Sequence, residues 1–167
     1  MPAAHIWTMT PDRSIFDLAA YILARTGEIT TMKLHKLCYY SQAWHLVWDS
    51  ERLTDAEFHA YGMGPVSPEL YETHRGIFTV ASLADTTAGE GNPDVFDGEQ
   101  QESINAILEA YLSWKNYQLT SMTKQEQPWK DAWGNTVPGS RGGVISEQTM
   151  LAFYTALDDA DDKDNDS

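Results

Sequence analysis

Residues 32–48 read Met32-Lys-Leu-His-Lys-Leu-Cys-Tyr-Tyr-Ser-Gln-Ala-Trp-His-Leu-Val-Trp48. At about 100° per residue, Leu34, Leu37, Cys38, Ser41, Trp44, His45 and Trp48 fall within an arc of about 120°. Tyr39, Tyr40, Ala43, Leu46 and Val47 occupy the remaining faces. A helix that is apolar nearly all round is enclosed by neighbours on several sides. The segment predicts a buried central helix over about 32–48, capped by Thr31. The fold class that follows is mainly α, a single compact helical domain around that helix, with at most a short β-hairpin.

The flanks supply the other elements. Upstream, Ile15, Leu18, Ala19, Ile22 and Leu23 recur at helical spacing, with Ser14 as cap and Gly27 as stop, which predicts a helix over 14–26. Downstream, Glu57–Tyr61 alternates weakly and suggests a short strand. Gly62-Met-Gly-Pro-Val66 reads as a turn, and Ser67-Pro68-Glu69 starts a helix that Gly76 stops. Residues 79–98 form a long loop, of the kind that is functional or mobile and able to carry partner specificity. Helix returns over 99–115 through Ile104, Ile107, Leu108 and Tyr111. Thr123-x-x-Glu126 has the form of a capping box, and Pro128 demands a kink or restart near Gln127. Pro138–Gly143 reads as an exposed loop. A last helix over 147–157 has Ser146 as cap and Ile145 with Met150 as a hydrophobic staple. The domain therefore spans 14–157, between an N-terminal extension (1–13) and an acidic, disordered tail (158–167).

The chain has 167 residues, enough to bury a substantial core without disulfides, and a net charge of −14. Six aspartates and Lys163 give residues 158–167 a charge of −5, leaving −9 on the body. Such a surface repels phosphate backbones and favours a basic protein partner over nucleic acid. One cysteine, Cys38, excludes an internal disulfide and a cysteine-based zinc knuckle. Met1–Trp7 has no secretory pattern, and no apolar run is long enough to span a membrane. The expected location is the cytoplasm.

Each constellation with catalytic chemistry has a plainer reading. His35, Cys38, Gln42 and His45 lie on one helix, but only Cys38 and His45 share a face, whereas a metal needs three or four converging ligands. A buried thiol beside a hydrogen-bonded core histidine accounts for them, and a mid-helix thiol on the packed side is inert as a nucleophile. Glu69, Glu72 and His74 crowd one short helix, where a charged outer face is the simpler account than acid–base work. Gly62–Pro65 and Gly139–Gly143 lack the Lys-Ser/Thr of a phosphate loop. The expectation is no catalytic residue, no metal and no cofactor; a hydrolase using Glu69 or Glu72 is the remaining enzyme alternative. Aromatic density stands out instead, with 6 Trp and 8 Tyr, the residues that dominate interface hot spots. Trp44 and Trp48 belong to the core arc, while Trp7, Trp114, Trp129 and Trp133 divide between core and binding surface.

Four segments together resemble the Panacea domain of SocA-like antitoxins. They are Thr31–Leu46, Ala60-Tyr-Gly-Met-Gly-Pro-Val-Ser-Pro-Glu-Leu-Tyr71, Leu119–Trp129 with Ala132, and Ile145-Ser146 leading into a helix that ends near Tyr154. In order and spacing they are similar to the family's Met-Lys-Leu-x-Lys-Leu helix, its Tyr-Gly-Pro-Val turn and its Thr-His-x-Glu-x-Pro-Trp stretch, across about residues 14–156. The chain departs from that pattern at His35, often Gln in the family, at the turn widened by Met63-Gly64, and at Lys124, which replaces a histidine. The resemblance implies an antitoxin that silences a cognate toxin encoded beside it by direct contact. It also implies, as an alternative, an adaptor that delivers the toxin to a bacterial ATP-dependent protease. On the charge argument the toxin is expected to present a basic surface. The candidate partner-binding residues are Lys33, Lys36, Tyr40, Tyr61, Pro65, Tyr71, Lys124, Glu126 and Trp129.

Overall fold

Ser14 opens the first helix, α1 (Ile15–Thr26), through a capping box: its hydroxyl accepts the Asp17 N–H and the Asp17 carboxylate accepts the Ser14 N–H. Gly27, at φ 71°, closes it as expected. The computed structural model describes residues 12–165; Trp7 and the rest of residues 1–11 lie outside them. Strand β1 (Ile29–Thr30) leads into α2 (Thr31–Asp49), the expected central helix. Its cap is Thr30 and not Thr31, since the Thr30 hydroxyl accepts the Lys33 N–H. Every residue from Leu34 to Leu46 is buried. Trp48 departs from the expected core assignment: it is 42% exposed in the last turn of α2, with its ring against that of Trp44 at 5.4 Å between centroids.

The chain then forms a hairpin from β2 (His59–Tyr61) and β3 (Gly64–Val66), antiparallel, with Ala60 opposite Pro65. The expected turn therefore shrinks to Gly62-Met63. Pro65 is tolerated in β3 because its free edge needs no N–H donor and lies against α2. Ser67 caps α3 (Pro68–Thr73), whose first turn holds the predicted Pro68 and Glu69. Residues 142–145 return alongside β2: Gly142 donates to Ala60 O, Ala60 to Gly143 O, and Ile145 to Phe58 O.

Residues 79–98 carry more structure than the expected long loop. β4 (Thr79–Val80) pairs antiparallel with β1, and two short 3-10 turns follow at Leu83–Asp85 and Pro93–Val95. Val80, Leu83 and Phe96 are buried, and Asn92 donates to the Asp17 carboxylate at 2.8 Å. Gly91 lies so close to α1 that a Cβ there would stand 2.1 Å from Phe16 O. Long-range contacts hold this segment, so local sequence signals do not reveal it.

Asp97 caps α4 (Gly98–Tyr111), which stops four residues short of the expected end because the chain turns at Leu112–Trp114. In α5 (Asn116–Gln125), Thr123 is an interior residue donating to Thr120 O, so the Thr123/Glu126 capping box does not form. The restart at Gln127 does occur: α6 (Gln127–Trp133) begins there with Pro128 in its first turn. Ser146 caps the last helix, accepting the Thr149 N–H, and Ile145 and Met150 are both buried. That helix, α7 (Glu147–Asn165), runs eight residues past the expected 157, with Asp159–Lys163 exposed. The architecture is mainly α: α1, α4, α5 and α7 surround α2, and the hairpin closes one side.

Candidate interaction site

Three segments far apart in sequence meet at the β2–β3 hairpin. From α2, Lys36 is fully buried and its ammonium donates to Pro65 O at 3.3 Å. The hairpin comes close because position 64 has no side chain: a Cβ on Gly64, at φ +105°, would stand 2.7 Å from Lys36 Cε and 3.0 Å from Thr123 Oγ1. From α6, the Trp129 indole N–H donates to Tyr61 O at 2.9 Å. Trp133 stacks on Trp129 with centroids 5.1 Å apart, and the Lys124 ammonium lies 5.3 Å over the Trp129 ring. Burial, and then the neighbouring Lys124 charge, pull the Lys36 ammonium down to about 7.

One turn further along α2, the Tyr40 hydroxyl donates to Glu126 Oε1 at 2.9 Å and the Tyr154 hydroxyl to the same oxygen at 2.8 Å. The Tyr39 and Tyr154 hydroxyls are 3.1 Å apart. Tyr154 has a single proton, which the carboxylate takes, so the hydrogen between the two tyrosines belongs to Tyr39. Burial raises the Glu126 carboxyl, against the two tyrosine hydrogen bonds that lower it. Glu126 thus ties the α5–α6 junction to α2 and α7. It is a structural clamp whose Oε1 accepts both tyrosine hydroxyls.

The outer side of the hairpin is aromatic and cationic. Tyr61 and Tyr71 meet edge-on, 5.8 Å between centroids. Exposed Arg141 lies 4.9 Å over Tyr61 and 5.7 Å over Tyr71, and Arg75 lies 6.0 Å over Tyr71. Glu72 reaches both arginines, at 3.4 and 3.8 Å. Of the nine expected residues, Lys36, Pro65, Tyr61 and Trp129 are buried at the hairpin, whereas Tyr40 is buried away from it, among Tyr39, Tyr111 and Tyr154, with its hydroxyl on Glu126. Tyr71 and Lys124 are half-buried at the hairpin's rim. Lys33 stands apart, donating to Leu112 O at the start of α2. Arg141 and Arg75 were not among the expected residues, their only sequence signal being basic character beside a Gly-rich or helical stretch; Trp133, weighed as either core or binding surface, lies partly buried against Trp129.

The catalytic candidates do not assemble. His74 points inward to His35, away from Glu69 and Glu72. The Cys38 thiol is buried, and burial pushes it up. Gln42 is satisfied three times over by Thr54, and His45 contacts Ser103, Asp49 and Glu51. Among the described residues, no group of three His, Cys, Asp or Glu could hold a metal ion. No helix among them is long and apolar enough to cross a membrane.

The SocA-like antitoxin family, Panacea domain, matches residues 34–130, more than half of the chain. This chain belongs to that family. The match takes in α2 from Leu34, the hairpin, α3, α4, α5 and the start of α6; the 142–145 return, Trp133 and Arg141 lie outside it. No curated protein and no solved structure matches the chain.

Proposed function

We propose that this chain is the antitoxin of a type II-like toxin–antitoxin pair and neutralises a cognate toxin by direct protein–protein binding, without a cofactor and without catalysis. The observation that carries this reading is the convergence of the family's matched segments on the hairpin, where Trp129 and Lys124 meet Tyr61 and Tyr71, with exposed Arg141, from outside the match, over the two tyrosines. Aromatic and arginine side chains held rigidly on a scaffold are what interface hot spots are made of. The net charge of −14 suits a toxin with a basic surface, such as one that handles nucleotides or RNA, and steering by that charge accelerates encounter. The same charge disfavours direct nucleic-acid binding by this chain, and the pair acts in the cytoplasm.

A second reading, delivery of the bound toxin to an ATP-dependent protease, draws on the exposed acidic stretch Asp159–Lys163 projecting at the end of α7. Removing residues 158–167 would then abolish toxin degradation and leave binding intact.

Expressing the protein of the adjacent reading frame alone and together with this chain tests the main reading. Growth arrest relieved by co-expression, with both proteins recovered in one complex, is the expected result. Arrest that this chain does not relieve, or relief without a complex, contradicts it.

A further inference from the structure

Charge is distributed unevenly over the molecule. Asp and Glu number 25 against 11 Lys and Arg, yet four of those 11 cations (Lys36, Arg75, Lys124 and Arg141) gather around the hairpin. Among the described residues, Glu72 is the carboxylate that ion-pairs with Arg75 and Arg141, and neither Lys36 nor Lys124 has an ion-pair partner.

Lys36 is the most expensive member. A lysine ammonium carries three donors, and here one backbone acceptor at 3.3 Å meets it, in a fully buried position beside a second cation. Burying an unmatched charge opposes folding. A chain this rich in carboxylates has the means to neutralise the pair internally and does not. On the outer side of the hairpin, Arg141 lies over the rings of Tyr61 and Tyr71, with Glu72 at 3.8 Å.

We propose that this face, with Lys124 and Arg141 at its surface and Lys36 beneath, receives an acidic segment of the partner protein, whose Asp or Glu side chains supply the missing counter-charge. The proposal rests on the antitoxin reading and names the chemistry of its contact. The overall negative field draws in a basic partner, and this reversed patch selects which edge of that partner docks, a division between steering and register that charge complementarity commonly provides. A polyphosphate chain is a poorer occupant, because beyond the patch it would meet the acidic body.

The test is calorimetric titration of the full chain with the growth-arresting protein of the adjacent reading frame, at low and high salt. Lys124→Glu and Arg141→Glu each weaken binding at least about tenfold, and Lys124→Gln and Arg141→Gln weaken it to an intermediate degree. Lys163→Glu, on the exposed end of α7, changes it less than about twofold. Thermal unfolding verifies that each variant is folded, and the Gln pair serves if a Glu variant is not. Unchanged or tighter binding by the hairpin variants overturns the acidic-segment proposal while leaving the antitoxin reading intact. Failure of the unaltered chain to bind at all overturns that reading, and this proposal with it.

Discussion

The Nε2 atoms of His35 and His74 lie 2.7 Å apart in the interior, joining α2 to the C-terminal end of α3. His35 Nδ1 accepts the Ser67 N–H at 3.3 Å, so the His35 proton sits on Nε2 and is donated to His74, which carries its own proton on Nδ1. Only two neutral rings satisfy this chain of bonds. Burial, followed for His35 by the nearby Lys36 charge, holds both rings below their ordinary range.

Stability therefore falls with acid at this pair. In the unfolded chain the rings bind protons below about pH 6.5, whereas in the folded chain they resist. Each contributes no penalty above that pH and up to about 1.4 kcal/mol per pH unit below it, until the folded pair itself protonates. His74→Gln keeps an acceptor for His35 and removes one titration. Chemical denaturation between neutral pH and pH 5 is expected to show a shallower loss in that variant; an identical slope contradicts the pairing.

Lys36→Met is expected to stabilise the fold by on the order of 1–3 kcal/mol at neutral pH, by removing a buried charge without a counter-ion. In the unaltered chain the unfolded lysine holds its proton to about 10.5 and the folded one to about 7, so stability rises with pH across that window. The advantage of Met is thus largest at or below pH 7 and shrinks towards pH 10.5. Partner affinity falls in the same variant. Urea titrations at the two ends of the window check the first effect and calorimetry the second.

Gly64→Ala is expected to cost about 2 kcal/mol, from a φ of +105° and from contact with the Lys36 stem and Thr123. Thermal unfolding reads the loss.

Glu126→Ala leaves the Tyr40 and Tyr154 hydroxyls without their shared acceptor in a buried setting, at about 2 kcal/mol or more. Glu126→Gln retains an acceptor oxygen and is expected to cost under about 1 kcal/mol. Equal losses in the two variants contradict the clamp.

The central helix is legible in the sequence because its apolar residues leave no face for solvent, a property of one contiguous stretch. Caps at Ser14, Ser67 and Ser146 are legible for the same reason, each acting within three residues. What local patterns hide is long-range partnership. The sequence groups His35 with Cys38 and His45, and His74 with Glu69 and Glu72, yet the fold pairs one histidine from each group. Lys36 reads as a partner-binding candidate because nothing in 32–48 reveals that Gly64 and Pro65 will close over it. The segment 79–98 looks loose because its anchors, β1, Asp17 and Phe16, lie some 50 or more residues upstream.

The most direct measurement of the central claim is amide hydrogen exchange on this chain, free and in complex with the growth-arresting protein of the adjacent reading frame. Protection that rises at Tyr61–Val66 and across 123–133, with α4 and the end of α7 little changed, is the result expected of neutralisation through the hairpin face. Protection confined to other elements, with the hairpin exchanging as in the free chain, contradicts it.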